Sequence, residues 1–108
     1  MNARTDIVTV LEGIEQDYGI ESTYSHFVDG HSLPYLAYIG TGQQKFASDN
    51  SDSWQMDTYQ VEFYFKRKDP SIEKNLEEAF IAGGWHISKS DDLYLDDEGV
   101  FFISYQLT

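Results

Sequence analysis

The chain contains no cysteine, which excludes a disulfide framework, a thiolate nucleophile and any Cys-ligated metal centre. Positive charge is scarce: seven Lys and Arg stand against nineteen Asp and Glu, a formal charge of −12 over 108 residues. Nucleic-acid affinity rests on cations that neutralise phosphates, so tight DNA or RNA binding is not expected, and anionic membranes are disfavoured for the same reason. No run of eighteen apolar residues occurs, and the N-terminal MNARTDIVTVLEGI lacks the apolar stretch of a secretory signal. Both features predict a product made and kept in the cytosol, with no membrane span. Only two prolines are present, Pro34 and Pro70, and each falls where an element is expected to begin.

Aromatic residues are plentiful instead. Eight Tyr, seven Phe and two Trp in a chain that is 41% hydrophobic exclude disorder of the charged, low-hydrophobicity kind. The length fits one domain, and size scaling predicts a surface of about 6,000 Å² for a compact monomer of this mass. Tyrosine suits a surface that is wet in one state and covered in another, and it suits ordinary strands equally well.

Ile7, Val10, Leu11 and Ile14 recur at helical spacing between Thr5, read as the N-cap, and Gly19, a C-terminal stop, which predicts a helix over about residues 6–18. Gly13 within it costs about 1 kcal/mol relative to alanine, so this helix needs its packing to persist. STYSHFV over residues 22–28 predicts a short strand, and the following DGHSLP, with Asp29 and Gly30, predicts a tight turn. Pro34 opens a second strand, Tyr35 to Ile39, whose continuous apolar character predicts burial on both faces at its centre. Gly40 to Met56 reads as one long polar connection, either a functional loop or an irregular hairpin tip.

From Thr58 the alternation of Tyr59, Val61, Phe63 and Phe65 with Thr58, Gln60, Glu62 and Tyr64 predicts a strand covered on one side. Asp69 and Pro70 are an N-cap and first-turn pair opening a second helix, which Gly83 and Gly84 end. Its apolar stripe is Ile72, Leu76, Ala79 and Phe80, with Glu73, Lys74, Glu77 and Glu78 expected to face solvent. Three strand-like pieces follow, Trp85 to Lys89, Leu93 to Leu95 and Val100 to Leu107. The order α-β-β-β-α-β-β(-β) predicts an α+β domain, a mainly antiparallel β-sheet with two α-helices packed on one face.

Motifs that carry chemistry are missing. Asp91, Asp92, Asp96, Asp97 and Glu98 form the densest carboxylate cluster, but Tyr94 stands where a calcium loop ending at Gly99 would need an oxygen ligand. His26, His31 and His86 are scattered and form no zinc pair. There is no nucleophile elbow, and Gly40 and Gly42 are followed by no GK[ST]. Neither a catalytic residue nor a cofactor is expected.

Four segments carry a resemblance: YSHFVDGHSLPYLAYIG from Tyr24, KFASDN in the polar connection, YQVEFYFKRKDPSIEKNLEEAF from Tyr59, and FFISYQL from Phe101. Together they resemble the small tail-terminator (tail-completion) proteins of long-tailed bacteriophages and prophages. The likeness covers most of the chain after the first helix. It consists of a strand, turn and helix pattern that related head-to-tail joining proteins share. The resemblance implies a non-enzymatic virion protein that assembles with itself as a hexameric ring on the head-proximal end of the tail tube. Such a ring stops tube growth, contacts the tail tube protein and a head-completion protein, and is built in the host cytoplasm.

Copies each carrying −12 would let DNA pass through a ring without tight binding, while repelling one another. Lys66, Arg67 and Lys68 are placed to relieve that repulsion against an acidic neighbour. Phe46 and Trp54, with Asp49 between them, stand out from the polar connection either as contact residues, since aromatics dominate binding hot spots, or as groups that fold back onto the core. The alternatives to a ring component are an acidic inhibitor that mimics DNA, another small phage head-tail connector protein and, third, a small enzyme.

Overall fold

The computed structural model describes residues 4–25, 32–47 and 53–108, with backbone alone over 43–47 and 53–56. Eight elements follow one another: α1 (Ile7–Tyr18), β1 (Ser22–Tyr24), β2 (Tyr35–Ala47), β3 (Ser53–Phe65), α2 (Pro70–Ala82), β4 (Ile87–Lys89), β5 (Leu93–Leu95) and β6 (Val100–Leu107). They build the α+β domain expected, a six-stranded sheet in the order β1-β2-β3-β6-β4 with β5 also on β6. Every pairing is antiparallel except β1 with β2.

The strand alternation sets the layers. Val61, Phe63 and Phe65 of β3, Ile103, Tyr105 and Leu107 of β6, and Leu36 of β2 are buried against Ile7, Val10, Leu11 and Ile14 of α1 and Leu76 and Phe80 of α2. Both helices therefore lie on one face of the sheet. Trp85 closes the core at one end, its indole N–H donating to the Thr5 carbonyl at 3.0 Å with the Arg4 guanidinium 4.0 Å above its ring. Leu36 and Ala37 are both buried, as the apolar run of β2 predicts, but Ile39 is exposed.

Helix ends follow from capping chemistry. Asp6 rather than Thr5 caps α1, its carboxylate accepting from the Val8 amide at 2.8 Å. Thr5 instead places its amide on the Gly83 carbonyl, so it is committed to the neighbouring helix end. Gly19 adopts φ +70° and ends α1. The Asp69 carboxylate accepts from the amides of Ser71 and Ile72, and Pro70 occupies the first turn of α2. A Cβ built on Gly13 meets nothing within 4 Å. Gly13→Ala is therefore expected to stabilise the fold by about 0.5–1 kcal/mol. Thermal unfolding checks this, and a lowered midpoint would mean that the groove between α1 and α2 admits no methyl group.

Two expectations need correction. Glu73 does not face solvent: it is 3% exposed, because its spacing from Leu76 and Phe80 puts it on the buried side of α2, where Lys68 and Lys89 cover its charge. Nor is the segment from Gly40 to Met56 a long loop. β2 runs on to Ala47 and β3 starts at Ser53, so most of it is a continuous hairpin. Residues 26–28 of the expected first strand, the turn at Asp29 and Gly30, His26, His31 and Asp49 lie outside the described residues.

Candidate functional site

β1 leaves β2 after Tyr38, and β6 begins pairing with β3 only at Tyr59. From Gly42 and Thr58 outward, through Ala47 opposite Ser53, β2 and β3 pair only with each other among the described residues. The result is a two-stranded ribbon standing beyond the six-stranded body. It accounts for a longest extent of 51 Å against 28 and 25 Å, and for a radius of gyration of 15.0 Å where a compact chain of this length gives about 13 Å. The accessible surface, 6987 Å², exceeds the compact expectation of about 6,000 Å² for the same reason.

A β-bulge marks the base of the ribbon. Thr41 is the extra residue between Gly40 and Gly42, and Gly42 takes φ +113°, a conformation that a side chain would strain. Polar groups fix this corner. The hydroxyls of Thr41 and Thr58 lie 2.7 Å apart, the Gln106 amide donates to the Thr41 hydroxyl at 2.9 Å, and the Arg4 guanidinium donates to the Asp57 carbonyl at 2.6 Å. The register puts Phe46 opposite Trp54, so the two positions picked from sequence form a cross-strand pair on one side of the ribbon. Strand alternation makes that side continuous with positions 56, 58 and 60, and so with the face of the sheet opposite the helices.

Among the described residues no helix covers that second face. Its rows follow from the register: Tyr35, Tyr64 and Phe102, then Ala37, Glu62 and Ser104, then Ile39, Gln60 and Gln106. Tyr35 and Tyr64 stack at 4.9 Å, and Tyr64 and Phe102 at 5.4 Å, all three half-buried. The Tyr64 hydroxyl donates to Glu62 at 2.8 Å and the Gln60 amide to the other carboxylate oxygen at 3.3 Å. Partial burial first, and the carboxylate second, push the Tyr64 phenol well above its usual range. Tyr35 moves the same way, through burial and then Glu98 and Glu62. These phenols stay neutral donors at physiological pH, which gives the face an aromatic, hydrogen-bonding character rather than a row of charges.

The cationic run divides in two. Lys68 turns inward, 2.9 and 2.8 Å from the two oxygens of Glu73 and 2.9 Å from Asp92. Glu73 is also 3.0 Å from Lys89, which reaches Glu77 at 2.9 Å. The Tyr105 hydroxyl donates to the same Glu77 oxygen at 2.9 Å, and burial followed by that bond raises its phenol far above the usual range. This network pins α2 to the strand layer. Lys66 and Arg67 are exposed and make no ion pair among the described residues. They edge a cleft of about 490 Å³ between the start of β2, the end of β3 and the first turn of α2.

Asp92 is committed to Lys68, and the described residues hold no group of three or more His, Asp or Glu arranged to take a metal ion. No helix among them is long and apolar enough to cross a membrane. No family model matches the chain, and no curated protein matches it. The ribbon, the aromatic face and the cleft are the candidate contact surfaces among the described residues. Sequence reasoning singled out Phe46 and Trp54, which the register pairs on the ribbon, but missed the Tyr35, Tyr64 and Phe102 ladder, whose members share one alternation register across three strands.

Proposed function

We propose that this chain is a structural subunit of a phage virion. In this reading it assembles as a ring on the head-proximal end of the tail tube, ends tube growth and joins tail to head without catalysing a reaction. The observation that carries it is the ribbon: a compact body from which two strands project with no third strand beside them among the described residues. A two-stranded hairpin is marginal alone in water, so such an arm gains its stability by lying against another molecule. The aromatic face supplies a second surface of the kind that neighbours cover, since tyrosine and phenylalanine are enriched at interfaces. The charge of −12 per copy keeps a DNA channel non-adhesive.

The reading as a DNA mimic fits less well. A mimic needs carboxylates along one face, and here the sheet face holds Glu62 among tyrosine, serine and glutamine neighbours. Negative-stain images of tails assembled with and without the protein test the proposal. Without it, tubes are expected to overgrow and to remain unjoined to heads. Tails of normal length that join heads in its absence would overturn it.

A further inference from the structure

The cleft lies at the opposite pole from the ribbon. β2 leaves the cleft at Tyr35 and reaches Ala47 thirteen residues later, with β3 returning beside it, a span of about 40 Å at the strand rise. A molecule's own ribbon therefore cannot fill its own cleft. Leu33, Pro34, Phe65 and Ile72 give the cleft an apolar lining, and Lys66 and Arg67 stand at its rim. Its volume of about 490 Å³ falls within the roughly 300–1,000 Å³ of cavities that enclose a ligand of modest size.

An occupant must pair apolar bulk with negative charge. In a chain with nineteen acids and seven bases, a rim of two exposed cations that make no ion pair among the described residues selects for carboxylates. Residues 43–57, QQKFASDNSDSWQMD, supply that chemistry: two aromatics, three aspartates and one lysine. We infer that the cleft is the seat for the ribbon tip of a second copy of this chain, with Phe46 or Trp54 against the apolar lining and Asp49 and Asp52 at Lys66 and Arg67. Donor and acceptor are different surfaces at opposite poles, so the contact is head-to-tail and propagates from copy to copy, closing into a ring if the rotation allows. It also explains how strongly acidic copies associate: their net repulsion is offset where one cationic rim meets one acidic tip. The inference deepens the ring proposal and rests on it only in requiring that copies associate.

The test exploits the absence of cysteine. Lys66→Cys and Ser51→Cys variants of the full chain, mixed under mild oxidation, are expected to give the 66–51 cross-link well in excess of the 51–51 and 66–66 products. Charge exchange supplies the second arm. K66E/R67E alone and D49K/D52K alone each place like charges at every contact, and each is expected to lose association by at least about tenfold. Their mixture restores opposite charges at both contacts and is expected to recover the assembled mass by light scattering. K66E/R67E rings of wild-type mass would overturn the docking contact and leave the ring proposal standing. A mixture that does not recover, or the lack of a 66–51 cross-link up to the solubility limit, would also overturn the contact. Recovered association in open chains, together with normal tails made without the protein, would uphold the contact and sink the ring.

Discussion

Replacing Lys68 and Lys89 together by methionine is expected to destabilise the fold by about 3 kcal/mol or more, the range for a buried charge stripped of its partners. The two lysine heads are themselves well exposed, 44% and 38%, so losing either one alone removes a solvent-screened pair and is expected to cost about 1 kcal/mol or less. The asymmetry lies in Glu73, whose side chain is only 4% exposed. Without both cations its buried carboxylate is left unpaired, the costly outcome when the partners of a buried charge are removed.

Glu73→Gln should cost less, about 1–2 kcal/mol, because the lysines can return to water and only hydrogen bonds to a charged group are lost. Urea unfolding of the double lysine variant, the two single lysine variants and Glu73→Gln decides the matter. A double lysine variant no less stable than Glu73→Gln would show that Glu73 reaches water by another route.

The second large effect concerns assembly. Trp54→Ala is expected to leave the unfolding midpoint nearly unchanged while weakening self-association by about 2 kcal/mol per contact, or roughly thirtyfold. Position 54 lies on a stretch where, among the described residues, β3 pairs with β2 alone, outside the part of the sheet that packs under the helices. Sedimentation velocity and thermal unfolding, run on the same preparation, separate the outcomes. A lowered midpoint with unchanged association would place the indole in the subunit's own core.

Much of the body was legible because each signal reports burial or a cap. β3 declares itself from Thr58 to Phe65, since one side packs under the helices, and Asp69 with Pro70 can do little but start a helix. The ribbon was not legible for the converse reason. TGQQKFASDNSDSWQM has no apolar alternation, and period-2 hydrophobicity is the signal by which a strand is read. Its strands are held by backbone pairing that any polar residue can make. The three cations from Lys66 to Lys68 read alike in sequence. Only the exit of the chain from β3 sends the third towards Glu73 and leaves the first two at the cleft. The shift of the first cap from Thr5 to Asp6 is of the same kind, a choice between two adjacent competent side chains made by what the Thr5 amide and carbonyl already bind.

Bare strand edges are also a storage problem. Past Tyr38 on one side and before Tyr59 on the other, no third strand pairs with the ribbon among the described residues, and such edges template fibrils when their sequence is greasy. The sequence here is polar instead, with Gln43, Gln44, Lys45, Gln55 and Asp57 along it. Polar residues of this kind make unspecific edge-to-edge stacking costly.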